Sequence, residues 1–117
     1  MRIEHVLAVA TVSSVERSAR WYEQLFGRPP DNRPMDTLVE WRLTDAGWLQ
    51  VFHDPDHAGS SFVNLTVDDL DAWMAAVASR GIDTGAVAEA TRGVRLSSVS
   101  DPDGNTVTFI GGFRAVY

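Results

Sequence analysis

Cysteine is missing from all 117 residues. That excludes a disulfide framework, a thiolate metal centre and a cysteine nucleophile, and it fits a reducing, cytoplasmic setting. No run of 18 apolar residues occurs, so no segment reads as a membrane span. The opening MRIEHVLAVA is too short and wrongly flanked for a signal peptide. Basic residues number ten against sixteen acidic ones, for a net charge of -6. They form no basic stripe of the kind nucleic acid requires, so neither nucleic acid nor membrane is an expected partner. Proline is scarce and clustered: three of the five fall within residues 28–36.

What is present is a repeat. Residues 61–81 (SFVNLTVDDLDAWMAAVASRG) read as a strand, a capped amphipathic helix and a glycine stop. Residues 5–27 say nearly the same about 55 positions earlier, setting Leu7 on Phe62, Val12 on Val67 and Ser14 on Asp69. The closing strands at 48–52 and 106–110 match at an offset of 58. Such self-similarity points to two copies of one strand-helix-strands unit. The modules run approximately 1–56 and 59–117, each too small for a stable core of its own, so one shared domain is expected.

In chain order, residues 3–11 read as a strand buried on both faces. Ser13 and Glu16 have capping-box spacing at the start of a helix that Gly27 stops. The proline-rich 28–36 reads as an irregular connection. Strands follow at 37–43 and 48–53 around a short turn, and 54–60 is a linker. The second copy holds a strand at 61–67, a helix capped by Asp68 or Asp69 and ended by Gly81, and short strands at 86–89, 93–100 and 105–111. Residues 113–117 form a tail.

Alternation assigns faces. Val63, Leu65 and Val67 suit a seat beneath the second helix, with Phe62, Asn64 and Thr66 on the opposite, front face. His5, Leu7, Val9 and Thr11 take the front in the first copy. Trp48, Gln50 and Phe52 share one face of their strand, as do Thr106, Thr108 and Ile110. Two half-polar sheets with helices behind them make a cleft suited to a ligand.

The run Val67-Asp68-Asp69-Leu70-Asp71 after a hydrophobic strand, the helix ending Trp21-Tyr22 then Leu25-Phe26-Gly27, and the turn Asp101-Pro102-Asp103-Gly104-Asn105 before the last strand together carry a resemblance. The chain resembles the vicinal oxygen chelate superfamily of glyoxalase I, bleomycin-resistance proteins and extradiol dioxygenases. The resemblance implies an α+β fold, two βαβββ modules forming a cupped mixed sheet around a cleft, commonly as a homodimer. Metal-dependent members hold a divalent cation with four His, Glu or Gln side chains, one from the first and one from the last strand of each module. Carried onto this chain, those positions are Leu7, Gln50, Phe62 and Thr108, of which Gln50 alone ligates strongly. Sliding the first strand by two recruits His5 and Asn64 and still supplies no anion.

The expected protein therefore binds a small, partly aromatic organic molecule without a metal cofactor, for sequestration or sensing. Asn64, Gln50 and Thr108 would supply hydrogen bonds, and Trp48, Phe52 and Phe62 contact area. The alternative is an enzyme: a lyase or dioxygenase using Ni, Fe, Mn or Zn, or a metal-independent isomerase with His5 as catalytic base. Trp21 and Trp73 read as packing residues, and Trp41 as core or cleft. His53 and His57 read as a solvated loop pair. Glu40 and Arg42 would orient a polar ligand if their face is the cleft, and Arg92 and Arg95 would clamp an anion if not simply exposed.

Overall fold

The computed structural model describes residues 1–113; the last four positions of the expected tail lie outside the described residues. The order is β1 (Val6–Val12), α1 (Val15–Phe26), β2 (Asn32–Met35), β3 (Leu38–Arg42) and β4 (Gly47–His53), then β5 (Phe62–Val67), α2 (Leu70–Ser79), β6 (Ala88–Glu89), β7 (Arg95–Ser100) and β8 (Thr106–Gly111). The two halves repeat one βαβββ plan. Each makes a four-stranded mixed sheet, β1-β4-β3-β2 and β5-β8-β7-β6, in which the first and last strands pair in parallel. The α+β architecture of two such modules is the one the repeat implied.

Local chemistry explains the helices, corrects the start of the first and decides the start of the second. Ser14, not Ser13, caps α1, its hydroxyl accepting from the Arg17 N–H. Ser13 is drawn away to Asp103. Gly27 closes the helix at φ 74, where a side chain is disfavoured. Asp69 caps α2 by accepting from the Ala72 N–H. That helix runs to Ser79 with Arg80 as its cap, and Gly81 follows at φ 89 as the expected stop. The proline-rich stretch holds a strand after all: β2 pairs with β3 through Asn32 and Met35, with an irregular register between them. An edge strand tolerates proline because one row of its N–H groups needs no partner. The first strand is not buried on both faces: Ala10 and Val12 are covered, while Leu7 and Val9 remain exposed.

One hydrophobic core joins the modules, with Tyr22, Trp41, Leu49 and Val51 from the first half and Val77, Val107 and Phe109 from the second. A buried polar latch ties them further. The Tyr22 hydroxyl donates to Asp101 Oδ2 at 2.8 Å. Asn105 Nδ2 donates to the same carboxylate oxygen at 2.8 Å and to the Thr11 carbonyl at 2.7 Å. Asp101 Oδ1 accepts the backbone N–H groups of Asp103 and Asn105, which shapes the β7–β8 turn. Asp103 in turn accepts from the Ser13 N–H and from Arg17. A second tie runs the other way, the Arg80 guanidinium donating to the Gln24 and Leu25 carbonyls at the end of α1.

Candidate functional site

Both sheets turn one face to the helices and leave the other open. In the second module Val63 is buried, while Phe62, Asn64 and Thr66 are exposed on the front. In the first, Leu49 and Val51 are buried, and Trp48, Gln50 and Phe52 are half-buried on the opposite side. Strand parity therefore holds for both triplets. Phe62 is 78% exposed and Leu7 50%, large apolar surfaces to leave in water.

Cross-strand register then builds rows of side chains across each front face. On the first sheet Val9, Gln50 and Glu40 stand side by side. Gln50 Nε2 donates to Glu40 Oε2 at 3.0 Å, and Asn32 Nδ2 donates to Glu40 Oε1 at 3.3 Å. The next row is Leu7, Trp48 and Arg42, with the Arg42 guanidinium 5.9 Å from the centre of the Trp48 ring. That arrangement steadies the indole through cation–π attraction. On the second sheet Asn64, Thr108 and Ser98 form the matching row, with the two hydroxyls 2.7 Å apart. Trp48, Gln50 and Phe52 thus come together on one sheet, and Phe62, Asn64 and Thr108 on the other.

Glu40 and Arg42, conditional candidates from the sequence, do lie on the front face, and Ser98 is a further residue there. The signal for them was parity on the middle strands, since Glu40 and Arg42 flank the buried Trp41, whose indole N–H donates to the Arg28 carbonyl at 3.0 Å. His5 is exposed just ahead of β1. His53 is exposed at the end of β4, and His57 bonds Asp54 at 2.9 Å on an exposed turn. Arg95 lies on the helix side, paired with Asp71 at 3.0 Å; that hydrogen bond holds the Asp71 carboxyl below its ordinary range. It is thereby removed from any front-face anion site.

The four inherited metal positions do not fit a divalent cation. Leu7 and Phe62 carry no donor atom, and Gln50 and Thr108 offer only a neutral amide oxygen and a neutral hydroxyl, the latter bonded to Ser98. Such an ion wants imidazole or carboxylate ligands converging on one point.

The model of the glyoxalase/bleomycin resistance protein/dioxygenase superfamily matches residues 2–109. The chain belongs to that superfamily. A glyoxalase/bleomycin resistance protein from Catenulispora acidiphila DSM 44928 is 30% identical, with a TM-score of 0.86 over 92% of this chain and 96% of that one. TnmS3, an antibiotic binding protein from Streptomyces sp. CB03234, is 24% identical, with a TM-score of 0.76 over 95% and 98%. A lactoylglutathione lyase from Agrobacterium tumefaciens is 18% identical, with a TM-score of 0.76 over 92% of each chain. No curated protein matches in sequence. In this glyoxalase-superfamily chain the front faces carry the aromatic and amide rows described above. Among the described residues no helix is long and apolar enough to cross a membrane.

Proposed function

We propose that this superfamily member binds a small, partly aromatic organic molecule against its front faces without a divalent metal, to sequester or sense it in the cytoplasm. The observation that carries the reading is the Trp48 ring, held on the open face beside Arg42 with Gln50 and Phe52 at the next alternate positions. A planar ligand stacks on the indole while Gln50, Asn64 and Thr108 offer amide and hydroxyl partners. The hydrocarbon side chains at two inherited metal positions favour binding over metal chemistry, and the likeness to an antibiotic binding protein agrees with it. A homodimer belongs to the same proposal. Two open faces rich in Leu7, Val9 and Phe62 enclose a ligand when a second copy covers them. The test is a panel of planar aromatic antibiotics titrated against tryptophan fluorescence, with and without EDTA. Trp48→Ala is expected to weaken a hit at least tenfold, and EDTA to change nothing. Unchanged affinity in the variant, or binding abolished by EDTA, overturns the reading.

A further inference from the structure

The two modules share one plan, so each feature of one junction has a mate at the other. Fifty-five positions beyond Tyr22 is Val77, and Thr11 maps to Thr66. Counting back 58 positions, Asp101 and Asn105 map to Leu43 and Gly47. Every polar anchor in that list except Thr11 is replaced by an apolar or small residue. The latch therefore has no polar counterpart at its mate.

A cavity of about 290 Å³ opens there instead. Phe26 and Leu43 close it from the first module, and Leu65, Val67, Trp73 and Phe109 from the second. Trp73 and Phe109 stack with ring centres 5.6 Å apart at 21°. Trp73 itself stands where α1 has the small Ser18. No charged side chain lines the space, and polar groups (Thr44, Asn64 and Thr66) gather among its exposed residues. β5 is the edge strand of its sheet, so one side of its backbone faces the other module rather than a neighbouring strand of its own. The pocket is open to solvent on its Thr44, Asn64 and Thr66 side, and it has room for an aromatic ring, since a dry apolar cavity of about half its size already admits benzene.

We propose that this junction is a second binding site, adjoining the front face of the second module at Asn64 and Thr66, for a small neutral aromatic molecule with one hydrogen-bonding group, of the size of indole or a phenol. The stacked rings and aliphatic walls take the ring of the ligand. The edge of β5 with Thr44 and Thr66 takes its polar group, and an anion finds no cation in the lining.

The experiment is a titration of the full chain with indole, followed by methyl NMR. Leu43, Leu65 and Val67 report on the junction, while Leu7 and Val9 report on the front face of the first module. Saturable shifts at the first three are expected, with the second set still. Filling the space with Leu43→Phe or, independently, Val67→Phe is expected to weaken indole at least tenfold while leaving the fold's methyl dispersion intact. Indole shifting only Leu7 and Val9 overturns this site and supports the front-face reading. Absence of any shift at millimolar indole, or full affinity in a folded filled variant, overturns it as well.

Discussion

Tyr22 shows how much one side chain carries. Its ring packs against Trp21, Phe26 and Trp41, and its hydroxyl ends inside the latch. Burial first, and then the Asp101 carboxylate beside it, push its ionisation far above the ordinary 10.0. The folded protein therefore keeps the proton where the unfolded chain releases it. This contribution is intact below pH 10 and is lost as pH rises beyond it, at about 1.4 kcal/mol per pH unit. Tyr22→Phe is expected to cost about 1–2 kcal/mol at neutral pH, because a buried carboxylate loses a donor, and to flatten the alkaline limb. Thermal unfolding followed from pH 7 to 11.5 checks both. Parallel curves for the two proteins above pH 10 would assign the limb to another group. The sequence marks Tyr22 as part of a buried helical stripe. It does not mark the partner 79 residues away, because that bond exists only once the modules dock.

At the scale of elements, the glycines after the helices separate two effects that sequence alone merges. Gly27 and Gly81 both hold positive φ, at 74 and 89. A Cβ on Gly27 would sit 3.1 Å from the Arg80 guanidinium, which caps the α1 carbonyls, whereas one on Gly81 meets nothing within 4 Å. Each alanine pays about 1–2 kcal/mol of left-handed strain. Gly27→Ala is expected to cost more than Gly81→Ala, since it also disturbs the tie between modules. Urea unfolding of both variants measures the difference, and equal midpoints would mean that Arg80 shifts without loss. Helix existence and the strand faces were legible because periods of 3.6 and 2 differ plainly. β2 was not: Pro34 within it and Pro29-Pro30 just ahead of it read as loop, and only β3 beside it makes Asn32–Met35 a strand.

The whole molecule is a slab 26 Å thick and about 43 by 41 Å across. Alternation made the front faces legible, since it needs only neighbours along one strand. The junction pocket was not legible, because it depends on how two sheets meet. If the faces are covered by a second copy as proposed, wild-type protein sediments as a dimer at micromolar concentration. Phe62→Asp, placing a charge where an apolar ring is exposed, is expected to shift it to monomer with an unchanged circular dichroism spectrum. A monomeric wild type would count against the dimer. The outer margins of the slab add a constraint on how copies can meet. One ends in Asn32–Met35, interrupted by Pro34 and slipped in register, and the other in a two-residue strand closed by Glu89. Neither offers a long flat row of amides for another chain to extend. Association is thereby steered toward closed pairs and away from end-to-end sheet growth, which disfavours fibrils at high concentration.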